Sequence, residues 1–183
     1  MYVWVACRVL IGAVFLAAAA GKLRSRSDFA GYVESLRALR MLPTTTLWPV
    51  AVALAATEVA VPVLLARNAT ARPGAVLAVA LLSVLTAGVA WALVRRTGAA
   101  CRCFGGAAMP LRRRHLLRNG LLLVAAVVAV LSPSGRPAAQ PGGIAVAVAA
   151  GFVLAALAVR FDDLADLFSG TARTPDAVHP SST

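Results

Sequence analysis

Five apolar runs, each long enough to cross a bilayer, divide this chain: residues 3–20, 47–66, 74–94, 115–131 and 143–159. A membrane-spanning helix needs about 20 apolar residues, within a range of roughly 17–25. Hydrocarbon offers backbone groups no hydrogen-bond partner, so only helices and closed barrels cross it, and these unbroken runs lack the alternation of a barrel strand. Apolar residues make up 60% of the chain, charged residues only 14%, and mean hydropathy is +0.82, more apolar surface than a soluble domain of 183 residues can hide. The expectation is an all-α membrane protein, a polytopic bundle of about five transmembrane helices. It forms one integral membrane domain over residues 1–160. A short acidic amphipathic piece and a polar tail occupy residues 161–183.

Two other readings fall away on charge placement. Residues 17–20 resemble a signal-peptide cleavage site, but Lys22, Arg24 and Arg26 follow the apolar core where a signal carries its charge before it. The net charge of +11 would suit a nucleic-acid binder. Its basic residues instead sit beside helix ends, where they anchor to anionic lipid headgroups, and no basic domain or aromatic platform stands apart. Membrane lipid, and not nucleic acid, is the expected partner.

The connections differ in character. In the first, Phe29, Tyr32, Val33, Leu36 and Leu39 recur at helical spacing with Arg37 and Arg40 between them, the pattern of an amphipathic helix lying in the interface. Pro43 ends it before the second span. The third connection, residues 95–114, holds Cys101-Arg102-Cys103-Phe104-Gly105, a pair of cysteines one residue apart.

Thiolate is the reactive form of cysteine, and neighbouring positive charge favours it. Arg102 lies between the two sulfurs; Arg112, Arg113 and Arg114 follow, and the connection contains no acidic residue. A disulfide closed over one residue is tight, and strained disulfides are the reducible ones. Three readings are open on the residues alone: a redox-active dithiol, a structural pair, and a thiolate metal site. The last is poorly supplied, because His115 is the one further ligand nearby. Cys7 enters the first span from the opposite face, about 20 Å or more away, and reads as an apolar filler.

Glu58 falls near the middle of the second span, where a carboxylate must be neutral or paired. Arg8 in the first span is the expected partner by depth. Two readings remain for them, an interhelical pair that fixes packing and a proton relay or quinone-contacting acid. The spans lack the paired polar or broken helices that line a transport pathway.

Arg8, Gly12 and Phe15 in the first span, Gly21-Lys22-Leu23 after it, Pro43, Glu58, and the Cys101-x-Cys103-Phe104-Gly105 element followed by Arg118-Asn119 together resemble the MauE family within the wider group of DoxX-like membrane proteins. The resemblance runs over residues 5–131. It implies a membrane protein that assists thiol–disulfide exchange during maturation of a partner, in the family the small subunit of methylamine dehydrogenase. Cys101 and Cys103 would be the exchanging pair. Arg102, Arg112, Arg113 and Arg114 would tune them, with Glu58 and Arg8 in support. A thioredoxin-like protein and an exported client are the implied partners, and a quinone is an electron acceptor compatible with such a site. The four-helix core also resembles vitamin K epoxide reductase-type bundles, by fold-level analogy. Those enzymes use Cys-x-x-Cys and extra shuttle cysteines, which this chain lacks. A second reading is a non-catalytic scaffold that holds a maturation partner on residues 29–41.

Topology sets two expectations against each other in the cell membrane. With five spans, the first and third connections share a face. They carry Lys22, Arg24, Arg26, Arg37, Arg40, Arg95, Arg96, Arg102, Arg112, Arg113 and Arg114, against Arg67, Arg72 and Arg136 in the other two. The positive-inside rule assigns the cysteine face to the cytoplasm. Oxidative maturation of an exported client needs that face outside.

Overall fold

A computed structural model describes residues 1–39, 41–95, 100–101, 109–110, 113–132 and 140–161. Six helices carry the fold: α1 (Tyr2–Leu23), α2 (Arg26–Ala38), α3 (Thr44–Ala66), α4 (Ala71–Val94), α5 (Arg113–Leu131) and α6 (Pro141–Val159). All but α2 have the length and hydropathy of membrane spans. The protein is therefore an all-α, multi-pass membrane protein with five spans. Each helix extends the apolar run read from sequence by a few residues, because polar residues complete the end turns in the headgroup region. The acidic segment after residue 161 lies outside the described residues.

Helix α1 is the hub, packing against α6, α3, α5 and α2, while α4 packs between α3 and α5. The core joins Ile11, Val14 and Phe15 of α1 to Val61 and Leu65 of α3, Ala78, Leu81 and Leu82 of α4, and Leu122 and Ala126 of α5. Lipid gives helices no hydrophobic drive to associate, so close packing over small residues has to supply it. Two seams depend on that. A Cβ on Gly74 would lie 2.8 Å from the Leu64 Cβ, closing α4 onto α3, and a Cβ on Gly151 would lie 2.8 Å from both the Ala6 carbonyl and the Val9 Cβ, closing α6 onto α1.

Helix α2 lies at one end of the bundle against α1 and α3. Ser25 caps it by accepting from the Asp28 N–H at 3.0 Å, which satisfies one of the first-turn donors. Its inner face carries Phe29, Tyr32, Val33 and Leu36, while Glu34 and Arg37 pair at 2.7 Å on the exposed face. Phe29 meets Trp48 of α3 edge-on at 5.2 Å and Tyr32 at 6.1 Å, so an aromatic cluster seats α2 on the bundle.

Two short strands flank the middle of the third connection, β1 (Ala100–Cys101) and β2 (Met109–Pro110), paired antiparallel with Cys101 opposite Met109. The first of them packs against α2. Cys103, Arg102 and Arg112 lie outside the described residues.

Replacing Gly151 by Leu inserts a side chain where the Ala6 carbonyl and Val9 stand. We expect a loss of about 1–3 kcal/mol, the usual range for overpacking, read as a lower melting temperature in detergent. Gly120→Leu, at a helical glycine whose Cβ would meet nothing within 4 Å, should change it little.

Candidate functional site

The buried side chains of Lys22, Glu58, Arg118 and Asn119 gather toward the end of the bundle that α2 covers. Lys22 Nζ reaches both Glu58 carboxylate oxygens, at 2.7 Å to Oε1 and 2.6 Å to Oε2. Both residues are nearly sealed, Lys22 at 3% and Glu58 at 2% exposure. Tyr32 lies above them, its ring 4.9 Å from Lys22 Nζ in a cation–π contact. Arg118 and Asn119, at the start of α5, are buried and line the same cavity. The two residues that lower the hydropathy of the fourth span are thus turned inward, away from lipid.

The partner of Glu58 corrects the expectation from depth counting. Arg8 donates instead to the carbonyl oxygen of Leu65 and, at 2.5 Å, to Asn68 Oδ1, and its guanidinium lies 4.8 Å from the Trp4 ring. The reason is directional. Helical side chains lean toward the N-terminus of their own helix. For Arg8, near the start of α1, that lean points out of the bundle toward the last carbonyls of α3. For Lys22, near the end of α1, the same lean points into the bundle and onto Glu58. Arg8 therefore caps a helix C-terminus, where a cation suits both the orphan carbonyls and the dipole. Thr70 completes the cap by donating to the Leu64 carbonyl at 2.7 Å.

In the sequence alone Lys22 reads as one of the charges that follow the first span and as part of the Gly21-Lys22-Leu23 motif, not as a partner for Glu58. Its position two residues before the polar step at Arg24 was the available signal. Pro62 adds a second polar feature to α3. Having no N–H, it leaves the carbonyl of Glu58 itself without its helical partner.

A cavity of about 360 Å³ opens beside the ion pair between α1, α2, α3, α4 and α5. Its wall is mainly carbon, including Phe15, Leu54, Leu85 and Leu122, and its polar atoms come from Lys22, Tyr32, Ser35, Glu58, Arg118 and Asn119. Tyr32 is 6% exposed, and its hydroxyl has no hydrogen-bond partner among the described residues. Burial, reinforced by the Glu58 charge, holds this phenol well above the usual tyrosine range. It is a neutral donor at any physiological pH.

The other sequence-predicted residues divide by location. The backbone of Cys101 is in β1, against α2 at the same end as the cavity. Arg113 and Arg114 begin α5, below the connection that carries the cysteines. Cys7 is a free thiol packed against the core. His115 is buried, and among the described residues no three histidine, cysteine or acidic side chains converge as a metal site.

Two substitutions probe this arrangement. Removing one partner of a buried ion pair typically costs about 3–5 kcal/mol, whereas replacing both by apolar groups costs far less. Glu58→Gln should therefore lower the melting temperature sharply, and adding Lys22→Met to Glu58→Met should recover most of the loss. Tyr32 supplies a pH dependence. Its phenol stays protonated in the folded protein above the pH at which it ionises unfolded, about 10. The stability it contributes is complete below that pH and is lost as pH rises toward the folded value. Denaturant titrations above pH 10 should show a steeper fall for the wild type than for Tyr32→Phe.

Comparison with known proteins bears on this site. The family model described as methylamine utilisation protein MauE matches residues 1–132, which span α1 to α5 and both cysteines of the third connection. The chain is 38% identical over 146 residues to methylamine utilization protein MauE of Paracoccus denitrificans, an alignment covering 79% of this chain and 75% of that protein. No solved structure matches it. The family match covers well over half of the chain and the relative aligns over most of both lengths: this protein belongs to the MauE family.

Proposed function

We propose that this protein assists thiol–disulfide exchange in the maturation of a partner protein, with Cys101 and Cys103 as the exchanging pair. The thiolate of one cysteine attacks a disulfide of the partner, the leaving sulfur takes the electron pair and a proton, and the second cysteine closes the internal disulfide. Two electrons leave the pair and the partner disulfide becomes a dithiol; the reverse sequence oxidises the partner. A thioredoxin-like protein exchanging with the same pair would restore its starting state. Arg102, Arg112, Arg113 and Arg114 favour the thiolate by their charge.

One observation carries the reading. The strand that contains Cys101 rests on α2, the helix whose Tyr32 closes over Lys22 beside Glu58, so the cysteine connection is tied to the buried polar end of the bundle. Membership of the MauE family supports it, and the name of the Paracoccus relative points to methylamine utilisation as the setting; the client we propose is an exported protein. The cell membrane is the location consistent with such a client. A second reading, a scaffold that binds the partner without chemistry, is favoured by the same helix: the outer face of α2 carries Glu34 and Arg37 at 63% and 55% side-chain exposure, free to meet another protein.

Cys101→Ser and Cys103→Ser separate the two. Under the exchange reading each variant drops partner maturation to the level of a deletion, and one of them accumulates a mixed disulfide on a non-reducing gel. Maturation that persists in the double variant leaves the scaffold. Labelling the cysteines in intact cells with an impermeant maleimide then reports their face. Modification only after an impermeant reductant means an oxidised pair outside, and modification only in opened membranes means thiols inside.

A further inference from the structure

The cavity beneath α2 has a use that exchange at the cysteines does not require. We propose that it binds a neutral molecule dissolved in the bilayer, one with an apolar body and a carbonyl oxygen, and that the carbonyl accepts a hydrogen bond from the Tyr32 hydroxyl.

Three features specify that ligand. The volume, about 360 Å³, falls within the ~300–1,000 Å³ of small-molecule sites. The route in is lipid: Met41, Leu42 and Val84 line the cavity and are exposed, and Val84 lies midway along a membrane-spanning helix. Molecules therefore enter sideways from hydrocarbon, which selects an apolar body and excludes ions from water. The interior then asks for an acceptor. The Tyr32 hydroxyl is more than nine-tenths buried, lines the cavity, and has no partner among the described residues. A buried donor left unmatched is costly, so a ligand that supplies an acceptor gains the difference. Glu58 does not compete for that role or call for a ligand cation, because Lys22 already occupies both its oxygens.

Gly88 marks the space to be filled. It lines the cavity from α4, and a Cβ there would meet nothing within 4 Å. Replacing a helical glycine also raises helix propensity, so a larger residue fills the site without weakening α4.

Carbonyls of this kind come from two sources, the head of an isoprenoid quinone and the ester of a glycerolipid. The test uses the full-length protein in an alkyl maltoside, a detergent without a carbonyl. Ubiquinone-1 and dioctanoylglycerol are titrated separately, with melting temperature and tryptophan fluorescence as readouts. We expect saturable binding of at least one probe. Binding by ubiquinone-1 alone identifies the quinone source, and by dioctanoylglycerol alone the lipid source. Tyr32→Phe should weaken it by about tenfold, the worth of one hydrogen bond, and Gly88→Phe should abolish it while the unliganded protein remains folded. Two results overturn the proposal: no saturable binding of either probe, or wild-type affinity in Gly88→Phe. Because Gly88→Phe leaves Tyr32 and the ion pair untouched, the second result can be read even if Tyr32→Phe does not fold. A Cys101→Ser, Cys103→Ser double variant should bind as the wild type does, so failure of the exchange reading leaves this one standing.

Discussion

A carboxylate cannot stay inside a membrane bundle unless something meets its charge or its proton, and in this protein Lys22 meets Glu58 with both oxygens engaged. The pair sits where the first and third helices in the chain approach each other beneath α2, and much of the architecture at that end follows from it. The cation belongs to the last turn of α1, so α1 must end level with the interior of α3. The lysine must also be sealed from water, and α2 does this by laying Tyr32 across it. The aromatic contacts of Phe29 with Tyr32 and Trp48 then hold α2 down. An isolated pair of this kind adds little net stability against an apolar replacement. What it does add is register, since α1 and α3 cannot slide by a turn without stranding both charges.

The opposite end of the bundle solves a different problem. The loop between α3 and α4 is short, and the last carbonyls of α3 would be left without donors. Arg8 and Thr70 supply them, and Trp4 packs on the guanidinium. Thus the two basic residues of α1 serve the same neighbouring helix differently, Arg8 as a cap on its C-terminus and Lys22 as a counter-ion to the carboxylate in its interior. Lys22 is also removed from the tally of charges that set topology. The imbalance between the two faces remains large without it, ten Lys or Arg against three.

The family match ends at residue 132, one residue past the end of α5, and α6 lies beyond it. Helix α6 packs on α1, on the side away from the cavity-lining residues of α2 and α4. Gly151 permits that contact by letting the Ala6 carbonyl and Val9 approach its backbone. The part of the chain that contains the buried pair, the cavity and the cysteine connection is therefore the part the family shares.

Much of this was legible in the residues. Span number and position follow from the lengths of apolar runs, because the bilayer imposes one thickness on every crossing segment. The amphipathic α2 was readable from the spacing of Phe29, Tyr32, Val33 and Leu36 and the need to keep Arg37 in water. The family was readable from separated motifs in order, Cys101-x-Cys103 among them. That Glu58 requires a partner is likewise a one-dimensional statement, since its cost depends only on its depth. Which residue answers it is not. Arg8 and Lys22 both lie on α1 and both can reach α3; the choice depends on the rotation of the two helices and the lean of each side chain toward its own N-terminus. The cavity, the unmatched Tyr32 hydroxyl and the space at Gly88 belong wholly to the tertiary structure. They are gaps between helices, and a gap is a property of how surfaces meet, which no single segment encodes.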